Sequence, residues 1–247
     1  MSLQRLGNIK KFIQESIEGN NYMIEPEESL IRTRNILVNF LKDDALSVAK
    51  SNNIEPRLMR GMISELMCEY LFKFYIEENG FNTENYISNV MLTNDETGRT
   101  TQLDSICVID KSVFVIECKS FYGPLSINNG VIKTKTIEQE PWKQNRGHIW
   151  ALEKEFGKLN YINVVYLFGM GLIREYKPTR GKDGDNQHLL VNHGGLSTIN
   201  KLSKDPMYKN KAIPSQMIPR LKQLIPTIEE EYAHIENINK LREMIRS

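Results

Sequence analysis

The chain has 247 residues, 40% hydrophobic and 26% charged, with a formal net charge of +1. That is the balance of a folded domain with ample length for a core. It excludes polyanion binding driven by bulk charge. No stretch approaches the roughly 20 apolar residues of a membrane span, and Met1-Ser2-Leu3-Gln4-Arg5 lacks the apolar core of a secretion signal. A cytoplasmic protein with no membrane association is expected.

Residues 1–60 read as an N-terminal helical region. Leu30, Ile36-Leu37, Phe40-Leu41 and Leu46 recur near the helical period, and Asn52-Asn53 and Pro56 punctuate it. A helix is predicted from Pro56 to Glu78, with Met59, Met62-Ile63, Leu66, Tyr70 and Phe74 on one face and Asn79-Gly80 as its stop. Beyond Gly80 the period becomes alternating. Strands are predicted at Tyr86–Thr93, Thr101–Ile109 and Val113–Lys119, with a polar turn over Asn94–Arg99. Two short strands follow, around Leu125–Ile127 and Val131–Lys133, joined by the hairpin signal Asn128-Asn129-Gly130.

Pro141 opens a helix to Phe156, with Ile149, Leu152 and Phe156 as its apolar stripe. Tyr161–Phe168 reads as a strand buried on both faces. His188–Val191 is a weaker strand, followed by Gly194-Gly195 and a short helix. From Pro214 onward the chain reads as helix interrupted by Pro219 and Pro226. The order describes an α/β domain, a mixed sheet flanked by helices, with helical extensions at both ends. The divisions are 1–60, 61–200 and 201–247.

Chemistry concentrates in one hairpin. Alternate residues of a strand share a face, so Glu117 and Lys119 continue the row of Val113 and Val115, while Phe114, Ile116 and Cys118 take the other side. A two-residue loop at Asp110-Lys111 would pair Ile109 with Ser112, Val108 with Val113, Ile106 with Val115, Asp104 with Glu117 and Gln102 with Lys119. Opposed residues have Cβ atoms about 4.5–5.5 Å apart. Two carboxylates that close raise each other's pKa, and a divalent cation removes the conflict. All-oxygen ligation suits Mg²⁺ or Mn²⁺, which can hold a phosphate oxygen and activate a water. Lys119 stands where it can orient that water or neutralise charge on phosphorus. A plain cross-strand salt-bridge network fits the same three residues.

The run Gln102-Leu103-Asp104-Ser105-Ile106-Cys107-Val108 followed by Val113-Phe114-Val115-Ile116-Glu117-Cys118-Lys119-Ser120-Phe121-Tyr122-Gly123 resembles the nuclease-related (NERD) domain. That domain belongs to the PD-(D/E)xK, restriction-endonuclease-like superfamily. Gly61-Met62-Ile63-Ser64-Glu65 resembles the family's Gly-x-x-x-Glu helix, and Pro141-Trp142-Lys143-Gln144 its Pro-x-x-Gln helix start. The resemblance covers about Gly61 to Phe168 and implies a restriction-endonuclease-like core, with the nuclease-like domain at 61–200. It implies Asp104, Glu117 and Glu65 as metal ligands, the Cys118 backbone carbonyl completing the shell, Lys119 as the catalytic lysine and Gln144 as a positioning residue. Leu103 stands where the superfamily name implies proline, and Ser112 replaces a glycine expected before Val113.

The implied activity is divalent-metal-dependent phosphodiester hydrolysis, with DNA as the substrate. The competing readings are a catalytically inactive nucleic-acid-binding module and a protein-interaction module that dimerises or binds a partner through its terminal helices. Between Arg174 and Lys222 ten basic residues meet four acidic ones. This stretch, with Arg174 and Lys177, and the pair Arg146 and His148 are the candidate nucleic-acid contacts. Cys68, Cys107 and Cys118 have no zinc-ligand spacing and read as buried reduced thiols. Trp142 reads as a packing residue. Gly169-Met170-Gly171 lacks the third glycine of a dinucleotide loop, and His193-Gly194-Gly195 has no nucleophile to serve.

Overall fold

A computed structural model of the chain describes residues 56–93, 100–121, 124–168, 173–177, 188–191, 195–208 and 210–225. The expected helices before Pro56 and beyond residue 225, the turn at 94–99 and the glycines at 169, 171 and 194 lie outside the described residues, and with them the expected terminal-helix interface. Helix α1 spans Pro56–Glu78. Strands β1 (Tyr86–Thr93), β2 (Thr100–Ile109), β3 (Ser112–Ser120), β4 (Leu125–Asn128), β5 (Val131–Lys133) and β6 (Glu138–Gln139) follow. Then come α2 (Pro141–Phe156), β7 (Tyr161–Phe168), β8 (Ile173–Lys177), β9 (His188–Val191), α3 (Gly195–Lys204) and α4 (Met217–Gln223).

Strands β6 and β8 carry no usable signal in the sequence. The first is two residues long, and the second, Ile-Arg-Glu-Tyr-Lys, is mostly polar. Pro219 does not interrupt its helix, because it sits in the first turn of α4, where the missing N–H has no intrahelical partner to lose.

The main sheet has the order β1-β2-β3-β7-β9. The first three strands form an antiparallel meander, while β3, β7 and β9 run parallel. A smaller sheet has the order β6-β5-β4-β8. Its β4–β5 hairpin turns on Asn129 (φ 50°) and Gly130 (φ 74°), the positive pair a type I′ turn requires.

Helix α1 covers one face of the main sheet. Cys68, Leu71, Phe72, Tyr75 and Ile76 pack on Cys107, Ile109, Phe114, Ile116, Ile162, Val164 and Tyr166. The side chains of the row expected on one face, Met59, Met62-Ile63, Leu66, Tyr70 and Phe74, lie outside the described residues. The helix is apolar nearly all round, so spacing alone does not select the sheet-facing side. Helix α2 covers the other face with Ile149 and Leu152, against Ile106, Val108, Val113 and Val115, and α4 adds Met217 and Leu221. Each fully buried aliphatic or aromatic side chain contributes roughly 1.5–3 kcal/mol of transfer free energy. Strands β3 and β7 are thus buried on both faces. Their carboxyl ends, flanked by the first turns of α2, are where such sheets leave a crevice.

Candidate active site

Strand β2 lets go of both neighbours at one residue. Its pairing with β3 runs from Ile109–Ser112 to Ser105–Ile116 in the expected register and stops there. Its pairing with β1 passes from Ser88–Ser105 to Val90–Leu103 without an Asn89–Asp104 pair. Asn89 is buried with φ 57°, a left-handed conformation that Asn tolerates better than most residues. Ile87 and Val90 lie three residues apart yet share one core cluster, and so do Leu103 and Ile106. Strict alternation would send them to opposite faces. The kink makes β2 and β3 fork, so the expected Asp104–Glu117 and Gln102–Lys119 ladder pairs do not form among the described pairings. Asp104 instead reaches across the fork, where its Oδ2 accepts the backbone N–H of Cys118 at 2.7 Å.

Glu117 and Lys119 lie beyond the fork on β3, which continues to pair with β7 as far as Ser120–Phe168. Lys119 Nζ donates to Glu117 Oε1 at 2.5 Å and to Gln144 Oε1 at 3.4 Å. Gln144 comes from the first turn of α2 and is exposed. His148, one turn further, is only 4% exposed and turns Nδ1 toward Glu117 Oε2 at 3.6 Å. Glu117 is 1% exposed, and neither its Oε2 nor His148 Nδ1 has a hydrogen-bond partner.

The opposite side is supplied by α1. Ser64 is fully buried and its hydroxyl donates to the Lys119 carbonyl at 3.4 Å. The next residue, half-buried Glu65, is close enough to raise the proton affinity of Asp104, Glu117 and the Cys118 thiol. One turn on, Cys68 meets the Cys118 side chain. All three cysteines are free and buried. The register of β3 thus sends Cys118 Sγ into the core under α1, while Glu117 and Lys119 face α2.

Burial first, then the Glu117 and Glu65 carboxylates, holds Asp104 well above the ordinary range, against the Cys118 N–H and Lys119. Burial also raises Glu117, opposed by Lys119 and Gln144. For Lys119 burial acts downward, but Glu117 and Asp104 outweigh it and the ammonium is held above its usual value. Burial, helped by Lys119, pushes His148 down to about 4, so its imidazole is neutral at pH 7 and its approach to Glu117 is not an ion pair. Three carboxyl groups thus share one lysine here. Among the described residues, no three His, Cys, Asp or Glu side chains stand together as a ready ligand set. Asp104 is engaged by a backbone N–H and Glu117 Oε1 by Lys119, which leaves Oε2 as the uncommitted buried oxygen.

Two positioning residues escaped the sequence reading. Asn145 is fully buried, and its Nδ2 donates to Val115 O (2.7 Å), Asn163 Oδ1 (2.9 Å) and Val164 O (3.2 Å). Asn163 Nδ2 donates in turn to Trp142 O at 3.0 Å. The pair clamps the first turn of α2 onto β3 and β7, which fixes Gln144 and His148. A lone Asn on each element gives no spacing signal, so only the fold discloses it. Trp142 is a packing residue, 2% exposed, with its indole N–H on His188 O at 3.0 Å. Of the expected nucleic-acid contacts, His148 is buried against Glu117, and half-buried Arg146 lies 5.8 Å over the ring of exposed Trp150. Arg174 and Lys177 fall on β8 in the smaller sheet, and their side chains lie outside the described residues.

Residues 61–169, less than half of the chain, match the model of the nuclease-related domain. The mixed α/β architecture is consistent with a restriction-endonuclease-like fold. An uncharacterized protein of Bacillus anthracis is 32% identical over 75 residues, which is 28% of this chain and 35% of that protein. The chain thus spans about a third of the curated relative it matches. No solved structure matches. No helix among the described residues is long and apolar enough to cross a membrane.

Proposed function

We propose that this chain is a divalent-metal-dependent nuclease that hydrolyses phosphodiester bonds in DNA in the cytoplasm. A nuclease-related function is what the matched domain suggests. The observation that carries the finer reading is the convergence of Asp104, Glu117 and Lys119 beyond the β2–β3 fork, with Glu65 from α1 and Gln144 from α2. Asp104, Glu117, Glu65 and the Cys118 carbonyl would hold Mg²⁺ or Mn²⁺. The donor chemistry fits: hard oxygens in excess, two with raised proton affinity, and one buried oxygen without a partner. When bound, the cation supplies charge neutralisation and a lowered pKa for a coordinated water.

The protein's own groups divide the remaining work. Glu117 and Asp104 hold Lys119 above its usual value, which favours its ammonium form. It donates hydrogen bonds and offsets the negative charge that develops on phosphorus. Gln144 holds Lys119 from the α2 side and stays exposed, where it can also meet substrate or water. Glu117 keeps Lys119 charged. Attack of water forms the new P–O bond and breaks the bond to the leaving oxygen, the water's proton passes to solvent or to a carboxylate of the site, and the leaving oxygen takes a proton from solvent.

The engagement of Asp104 by Cys118 N–H favours a second reading, an inactive nucleic-acid-binding module. Incubation of plasmid and single-stranded DNA with Mg²⁺ or Mn²⁺ separates the two. Asp104→Ala and Lys119→Ala should each lose activity on the order of 100-fold or more. Equal activity in all three proteins, or binding without any cleavage, would overturn the nuclease reading.

A further inference from the structure

Among the described residues, two unsatisfied buried atoms face each other, Glu117 Oε2 and His148 Nδ1. Both side chains are more than nine-tenths buried, both atoms lack a hydrogen-bond partner, and they face each other at 3.6 Å. A buried polar atom without a partner is costly, and two that face each other would both be satisfied by one shared partner. The separation is too long for a hydrogen bond. It is, however, the scale on which two ligand atoms sit around one cation, whose ligand bonds are roughly 2.0–2.2 Å.

We infer that Glu117 Oε2 and the His148 imidazole form a mixed oxygen–nitrogen edge of the cation site, and that this edge selects Mn²⁺ or a similar transition-metal ion over Mg²⁺. The inference rests on the metal-site reading above and narrows it. Mg²⁺ favours oxygen ligands, whereas imidazole nitrogen binds later divalent ions. With its ring proton on Nε2, His148 offers the Nδ1 lone pair. The Asn145 clamp fixes the helix turn that carries it, and Lys119 is committed to the other oxygen of Glu117, leaving Oε2 to the cation. No third His, Cys, Asp or Glu completes a ready set among the described residues. Water, backbone or substrate oxygen must fill the remaining positions.

The test is calorimetric titration of the full chain with Mn²⁺ and with Mg²⁺, for wild type and His148→Gln, with thermal melts as a check on folding. Wild type should bind Mn²⁺ more tightly than Mg²⁺. His148→Gln should weaken Mn²⁺ binding roughly tenfold or more and leave Mg²⁺ nearly unchanged. Pulsed electron paramagnetic resonance of Mn²⁺-loaded wild type needs no variant, and should show the hyperfine coupling of a directly bound nitrogen. Cation binding without that coupling, or an equal loss of both metals in His148→Gln, overturns the imidazole ligand and spares the carboxylate site. Binding of neither metal by wild type overturns both.

Discussion

Asp104 is the residue at which the proposed metal binding is set against stability. Its carboxyl is held well above the ordinary range by burial and by Glu117 and Glu65, so the folded state disfavours the charge that a metal ligand needs. The sign follows from linkage. A carboxyl with a raised folded pKa binds more protons folded than unfolded, so metal-free stability falls as pH rises from the ordinary carboxylate range through the raised value. Asp104→Asn keeps an oxygen for the Cys118 N–H and removes the charge. It should raise the melting temperature of the metal-free protein at pH 7 to 8 while destroying cleavage. A lowered melting temperature would show that the site carries no electrostatic strain.

Buried His148 and half-buried His188 act in the opposite direction. Burial pushes His148 and His188 each down to about 4. Below pH 6.5 the unfolded chain takes up protons that the folded chain refuses, so stability is lost as pH falls from 6.5 toward 4. For His148 the loss is at most about 3 kcal/mol. Urea titrations at pH 7 and pH 4.5 measure it, and His148→Gln should flatten part of the slope.

At the scale of elements, the sequence revealed what periodicity and turn chemistry encode. The bounds of α1, α2, β1, β7 and β9 follow from their patterns, and the β2–β3 register holds wherever that hairpin is regular. It fails at Asp104, because the kink depends on how Asn89 sits against Gln102 and the neighbouring core, which no local pattern reports. On α1, Phe72 is fully buried. Its ring meets Phe114 edge-on, with centroids 5.6 Å apart. Phe72→Ala should cost about 3–5 kcal/mol in denaturant titration. The candidate site residues divide in the same way: Asp104, Glu117 and Lys119 were proposed from strand register and family pattern together, Glu65 and Gln144 from the family pattern alone, and the Asn145–Asn163 contact gave no signal.

Over the whole molecule, a net charge of +1 means that the proposed DNA affinity would have to arise from a local surface. Such binding is dominated by phosphate contacts and is salt-dependent. If about three phosphates are neutralised, affinity should fall roughly 40-fold between 50 and 200 mM salt. A flat salt response would point away from nucleic acid.

The central claim is that the carboxylates beyond the β2–β3 fork hold a divalent cation. Anomalous diffraction from crystals soaked in Mn²⁺ tests it most directly. The prediction is one strong peak within ligand distance of both the Glu117 and Asp104 carboxylates, absent in Asp104→Ala. An ordered site that stays free of manganese at millimolar concentration would contradict it.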